Sequence, residues 1–274
     1  MFRSMMIGNV TALLVVATLT MTDNIVVHAL SSPNPINRRD FVAQSVALST
    51  SPLWIPTKSA LATEDQATTT PATILSSSNK KLPLPPIGLG CWAWGDSLFW
   101  GYNPKNDDQL KEVFDYAVQN YSPVLLDTAE VYGFGRSETL LGQYTNAIMG
   151  DNNDNDSTNK KVVIATKFAA LPFRTKPESV VKACEASVQR LGGRPIDLYQ
   201  IHFPGAWANE AYWDGMALAY EKGLIKAVGV SNYGVDATRA CHKALEKRGI
   251  ALASNQIQYS LLYRFPEENG LLQA

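Results

Sequence analysis

From position 84 onward, the chain alternates short apolar runs with longer segments in which apolar residues recur every three or four positions. The first pattern predicts β-strands covered on both faces, and the second predicts amphipathic helices. The predicted strands span residues 87–91, 124–127, 162–166, 198–202, 227–230 and 254–258. The predicted helices span residues 107–120, 136–144, 177–191, 210–221 and 236–248. Strands and helices that alternate in this way form a parallel sheet.

The spacing of the predicted strands indicates which parallel fold this is. Successive strand ends lie roughly 30 to 40 residues apart, the size of one strand–helix unit in a (β/α)8 barrel of about 250 residues. The longest interval contains residues 150–159, an Asn- and Asp-rich insertion typical of a surface loop. An open doubly wound sheet is the alternative, but Gly88-Leu89-Gly90 is only G-x-G and leads to Trp92, not into a helix. We therefore expect an α/β fold, a (β/α)8 TIM barrel that is incomplete, with about six βα units over residues 84–274.

The first 80 residues follow a different pattern. Arg3 precedes an apolar run over residues 10–20, and a small-residue cleavage site ends at Ala29, which predicts a signal peptide over residues 1–29. The run is shorter than the roughly 20 residues that cross a bilayer, so no stable membrane span is expected after cleavage. Residues 30–80, rich in Ser, Thr, Pro and Asn, predict a transit peptide and a polar linker without folded structure.

These two leader segments resemble the bipartite plastid presequences of algae with secondary plastids. They predict a plastid (chloroplast) location, in the stroma or associated with the thylakoid. Arg38 and Arg39 precede a mildly apolar stretch and then Ala60-Leu61-Ala62, the order of a twin-arginine signal and its cleavage site. The thylakoid lumen is therefore the alternative destination, unless the two arginines are only the basic residues of a transit peptide.

Composition and charge exclude several classes of function. The chain has 274 residues, is 46% hydrophobic and 18% charged, and carries a formal net charge of −1, which is typical of a globular protein. Without excess positive charge, nucleic acid is not expected as a partner. Three cysteines fall in no ligand-like spacing, so neither a disulfide framework nor a metal site is expected. The oligomeric state is not indicated by the sequence.

Polar side chains with complementary chemistry follow consecutive predicted strands. Asp127 closes the second strand, Tyr132 lies in the loop after it, Lys167 closes the third strand and His202 closes the fourth. Chemistry in a (β/α)8 barrel takes place at the carboxyl ends of its strands, so these four residues are expected at one rim.

The four side chains together suggest a carbonyl reduction. A tyrosine has a reference pKa near 10 and acts as an acid at neutral pH when a cation stabilises its phenolate, which Lys167 can do. Asp127 would pair with Lys167, and His202 would orient a carbonyl oxygen. Because no Ser, Cys or metal set supplies a nucleophile, hydride from a nicotinamide is the natural candidate.

Four motifs carry a specific resemblance to a known family. They occur in order and at matching spacing: LDTAEVYG at 126–133, ATK at 165–167, DLYQIH at 197–202 and VGVSNY at 228–233. The chain from residue 84 onward resembles the aldo-keto reductases, and WAWGD at 92–96 is most similar to their plastid members in plants and algae. The resemblance implies that Asp127, Tyr132, Lys167 and His202 form a catalytic tetrad.

The same resemblance implies a cofactor and a substrate class. Ser231, Asn232 and Gln256 match the positions that hold a nicotinamide carboxamide, and the usual cofactor is NADPH. The substrate would be a small-molecule carbonyl compound. Aromatic residues in the rim loops, Trp94 and Trp207 among them, could wall its pocket, although core packing explains such residues equally well.

The chain departs from the family at its last residue. It stops shortly after the sixth predicted strand, so the seventh and eighth units, which carry the contacts to the cofactor's adenosine end, are expected to be missing and the product truncated. A non-catalytic cofactor-binding or structural plastid protein, or an inactive reductase fragment, is therefore the alternative to a reductase. The complete tetrad favours the reductase.

Overall fold

The computed structural model describes residues 73–75, 81–85, 87–150, 162–206 and 208–274. The predicted signal peptide, nearly all of the predicted transit peptide and linker, most of the 150–159 insertion and Trp207 lie outside these residues. The described residues belong to one compact unit, Thr68–Ala274. Among them, no helix is long and apolar enough to cross a membrane.

Six parallel strands form one sheet in sequence order, each strand pairing with the next. The strands are β3 (Gly88–Gly90), β4 (Val124–Asp127), β5 (Val162–Phe168), β6 (Leu198–Ile201), β7 (Val228–Ser231) and β8 (Leu252–Gln256). The helices are α1 (Asp107–Asn120), α2 (Arg136–Gly150), α3 (Pro177–Arg190), α4 (Asn209–Glu221), α5 (Val235–Glu246) and the short α6 (Phe265–Glu268). This consecutive parallel order is that of an incomplete (β/α)8 barrel and confirms the predicted fold.

The predicted elements differ from the observed ones mainly at their ends. Strand β5 is two residues longer than predicted, so Lys167 lies inside the strand, while His202 lies one residue beyond β6. Helix α2 continues to Gly150 rather than ending at residue 144. In the added turns, the Thr145 hydroxyl donates to the Leu141 carbonyl at 2.7 Å.

A short hairpin precedes the sheet, where the sequence predicted an unfolded linker. Strand β1 (Thr73–Leu75) pairs antiparallel with β2 (Lys81–Pro83) and lies beside β8. Leu82 and Leu84 pack against a small cluster of three buried residues. These are Ala165 of β5, Leu198 of β6 and Ala227, which directly precedes β7. The prediction of a polar linker without folded structure is therefore wrong at β1, because the hairpin is held by packing against the sheet and not by a local sequence signal.

The main hydrophobic core lies between the sheet and its helices. All seven residues of β5 are buried, as are all four of β6 and of β7. Helices α3 and α4 contact each other extensively and supply buried residues such as Val180 and Met216. A strand covered on both faces is rigid, so the residues at its carboxyl end are held in fixed positions.

Candidate active site

The structure brings all four predicted tetrad residues to one rim. Asp127 is the last residue of β4, Lys167 is the next to last of β5, and His202 follows β6 directly. Tyr132 begins a 3-10 turn after β4. They converge because the carboxyl ends of neighbouring parallel strands share one edge of the sheet.

The Lys167 ammonium lies at the centre of this cluster. Its Nζ donates to Asp127 Oδ2 at 2.8 Å, to the Thr128 carbonyl at 2.9 Å and to the Tyr132 hydroxyl at 3.5 Å. The side chain is only 2% exposed, and burial lowers the pKa of Lys167 while the adjacent Asp127 charge opposes this effect. The predicted Asp127–Lys167 pair is therefore present, and it places a positive charge beside the phenol.

The Tyr132 ring is enclosed by three neighbours. Its centroid lies 5.1 Å from Lys167 Nζ, 5.6 Å from the edge-on His202 ring and 5.7 Å from the Trp92 ring, which is stacked on it at 22°. Burial raises the pKa of Tyr132, and the negative charge of Asp127 raises it further. The lowering of this pKa expected from Lys167 is not observed, and burial and the Asp127 charge leave the pKa of Tyr132 above its ordinary value. Tyr132 therefore holds its proton at neutral pH.

His202 is a neutral ring in this environment. Burial lowers its pKa to about 3, and the Lys167 charge contributes in the same direction. Its backbone carbonyl accepts from Asn232 Nδ2 at 3.0 Å, and its ring stacks on Phe203 with a centroid distance of 4.7 Å. A neutral imidazole has one N–H donor and one acceptor, so it can orient an oxygen without competing to protonate it.

The three predicted cofactor-binding residues also lie together, at the ends of β7 and β8. Ser231 pairs in register with Gln256, and its hydroxyl donates to the Gln256 carbonyl at 3.0 Å. Asn232 adopts a left-handed backbone with φ of 60°, which asparagine tolerates better than most residues, and its amide donates to Ser231 Oγ at 3.1 Å. The Gln256 side chain is exposed. Two amide side chains and a hydroxyl offer both hydrogen-bond donors and hydrogen-bond acceptors. A carboxamide needs both, because it has an NH₂ group and a carbonyl oxygen.

The two tryptophans predicted to contact substrate have different outcomes. Trp94 is 5% exposed and packs edge-on against Tyr144 in the core, at a centroid distance of 6.2 Å. It therefore packs in the hydrophobic core, which is the alternative that the sequence left open for these aromatic residues. Trp207 lies outside the described residues. Trp92 instead reaches the site, two positions earlier in the same loop.

No signal in the sequence distinguishes Trp92 from Trp94. The structure also shows Asp96, which sequence reasoning missed, accepting from the Trp92 indole at 3.1 Å. Among the described residues, no group of three His, Cys, Asp or Glu side chains is arranged to hold a metal ion.

Comparisons with known proteins agree with this geometry. Residues 86–274 match the model of the aldo/keto reductase family. A chloroplastic pyridoxal reductase of Arabidopsis thaliana is 42% identical over 196 residues, covering 66% of this chain and 50% of that protein. The oxidoreductase Mb2320 of Mycobacterium bovis is 36% identical over 179 residues, 65% of this chain and 50% of its own length. The chain thus spans about half the length of these curated relatives.

Solved structures show the same architecture. An aldo-keto reductase from Klebsiella pneumoniae, in complex with NADPH, superimposes with a TM-score of 0.57 at 25% sequence identity. The match covers 74% of this chain and 63% of that one.

Proposed function

This chain belongs to the aldo/keto reductase family, and from that membership we propose that it carries the catalytic rim of an enzyme that reduces an aldehyde or ketone with NADPH. The observation that carries the proposal is the position of Lys167 Nζ, which lies 2.8 Å from Asp127 and 3.5 Å from the Tyr132 hydroxyl. A phenol beside a buried cation can donate a proton to a carbonyl oxygen, because the cation stabilises the phenolate that remains.

Each rim residue has a distinct role in the proposed reaction. Tyr132 donates its proton to the carbonyl oxygen, and Lys167 stabilises the phenolate that remains. Asp127 keeps Lys167 charged, and the neutral His202 orients the carbonyl oxygen. NADPH, when bound, supplies the hydride for the carbonyl carbon. The side chains of Ser231, Asn232 and Gln256 would hold its carboxamide.

The experiment is an assay of NADPH oxidation with pyridoxal, other aromatic aldehydes and aliphatic aldehydes. Pyridoxal is included because the Arabidopsis relative is named a pyridoxal reductase. The variant Tyr132→Phe should lower kcat by roughly 10² to 10⁴-fold, the usual contribution of general acid catalysis. Tyr116→Phe is the matched control, since Tyr116 is 61% exposed on α1. Equal rates in wild type and Tyr132→Phe would refute the proton donor, and cofactor binding without turnover would favour the non-catalytic alternative.

We also infer a plastid location, in the stroma or at the thylakoid surface. Support comes from the chloroplastic relative in Arabidopsis and from the leader-like composition of residues 1–80. A fusion of residues 1–80 to a fluorescent protein tests this location. Lumenal accumulation would select the twin-arginine interpretation instead.

A further inference from the structure

The loop between β3 and α1 is organised around the carboxylate of Asp96. One oxygen, Oδ1, accepts from the backbone N–H groups of Leu98 at 2.9 Å and Phe99 at 3.0 Å. The other, Oδ2, accepts from the indole Nε1 of Trp92 at 3.1 Å. Asp96 is only 5% exposed. A buried carboxylate with three donors therefore fixes both the path of the loop and the edge of one indole ring.

This indole forms an aromatic wall beside the proposed proton donor. The Trp92 ring is stacked on Tyr132, meets Trp100 edge-on at 5.6 Å and lies 6.1 Å from Phe99, all measured between ring centroids. Phe99 and Trp100 are 46% and 48% exposed. Within the described part of the chain, Asp96 is the one hydrogen-bond partner of the Trp92 indole. No other polar contact there fixes the position of the N–H edge of this ring.

The base of the loop is anchored by a separate set of contacts. At Gly95, a Cβ would lie 2.5 Å from Cγ of Arg136, so the backbone packs directly on that side chain. The Arg136 guanidinium donates to the Tyr102 hydroxyl at 3.2 Å and to Asp107 at 2.6 Å. The contacts at the base of the loop therefore do not involve the Asp96 carboxylate, whereas the hydrogen bond that fixes the edge of the Trp92 indole does.

We propose that Asp96 is a positioning residue that determines substrate specificity: it holds Trp92 flat against Tyr132, so that a rigid wall of Trp92, Phe99 and Trp100 favours flat aromatic aldehydes over small aliphatic ones. This proposal rests on the proposed reductase function. A wall that is already ordered loses little entropy when a flat ring packs on it. A small aliphatic aldehyde buries little of this aromatic surface, so an ordered wall adds little to its binding free energy.

The informative variant is Asp96→Asn. Its single amide oxygen can still accept from the backbone N–H groups of Leu98 and Phe99, but its NH₂ then faces the Trp92 indole N–H, and two donors cannot bond. Asp96→Ala is the second variant. Asn103→Ala is the matched control, because Asn103 Oδ1 caps the Lys105 backbone N–H in the same loop at 3.0 Å and lies outside the wall.

Two measurements test the proposal. We expect Asp96→Asn to lower the ratio of kcat/KM for benzaldehyde to kcat/KM for propanal about tenfold, mainly through the aromatic substrate. The ¹⁹F resonance of Trp92 in 5-fluorotryptophan-labelled protein, assigned with Trp92→Phe, should shift or broaden. Asn103→Ala should change neither quantity.

The outcomes separate this inference from the proposed function. A wild-type chain that reduces no aldehyde overturns both. An active wild type whose benzaldehyde-to-propanal ratio is unchanged in Asp96→Asn overturns the specificity alone, and an unmoved Trp92 resonance overturns the positioning role. A lower ratio together with a displaced resonance supports the proposal.

Discussion

Replacing Asp127 with asparagine removes the negative charge next to a buried ammonium while keeping the shape of the side chain. Lys167 is 2% exposed and pairs with Asp127 at 2.8 Å. Within the described residues, its other hydrogen-bond partners, the Thr128 carbonyl and the Tyr132 hydroxyl, are uncharged. Breaking a buried ion pair from one side costs about 3 to 5 kcal/mol, because the remaining charge stays buried without compensation. If the free energy of unfolding falls by about 3 kcal/mol, the Tm of a unit of this size falls by roughly 6 to 12 °C.

The size of this loss depends on pH in a defined direction. Burial lowers the folded-state pKa of Lys167 below its ordinary value, and Asp127→Asn lowers it further, since Asp127 is the partner that raises it. Below the folded-state pKa, the lysine is charged in both states and the folded state bears the full cost. As pH rises through that pKa toward the unfolded value of about 10.4, the folded state releases the proton and stability returns.

Thermal melts followed by circular dichroism test this reasoning at several values between about pH 7 and pH 10. The Tm deficit of Asp127→Asn should be largest at pH 7 and shrink as pH rises. The double variant Asp127→Asn/Lys167→Met should melt above the single one, because it removes the uncompensated charge. Glu185→Gln is the control, since its pair with Lys222 is about half exposed on both sides and spans 3.5 Å. A deficit that does not change with pH would refute the argument.

Two further predictions concern neighbouring buried groups. Glu138→Ala should lower the free energy of unfolding by about 3 to 5 kcal/mol in urea titrations, because it leaves Arg190 and Thr166 without their buried partner; Glu221→Ala, in an exposed pair with Arg248, is the control. His202, whose pKa burial and Lys167 lower to about 3, should show no protonation by NMR between about pH 5 and pH 8. An inflection in that range would contradict its neutral state.

The strands and the common edge of Asp127, Lys167 and His202 could be predicted from the sequence for one physical reason. Strands buried on both faces are mostly apolar, so a polar residue such as Asp127 or His202 after an apolar run indicates the carboxyl end of a strand. Parallel pairing then places consecutive strand ends along one edge. Strand spacing therefore places Asp127, Lys167 and His202 at one edge, whereas the position of Tyr132 depends on the loop after β4.

The rim loop could not be predicted, because loop conformation follows no period. The Trp92 indole donates to the Asp96 carboxylate and Trp94 packs against Tyr144, and no periodicity in the sequence signals either contact. Both tryptophans lie in the same apolar stretch with equal propensity. The hairpin of β1 and β2 was missed for a related reason, since such a short pair is stable only when it packs on an existing surface.

Strand β5 couples the candidate site to the stability of the fold. Successive residues of a strand point to opposite faces, so Thr166 and Lys167 lie on opposite sides of the sheet. Each bonds to a carboxylate: Thr166 Oγ1 donates to Glu138 of α2 at 2.6 Å, and Lys167 donates to Asp127 of β4 at 2.8 Å. A shift of register by one residue would exchange the two faces and break both contacts at once. The contact that places the ammonium beside Tyr132 is therefore part of what selects the native register of β5.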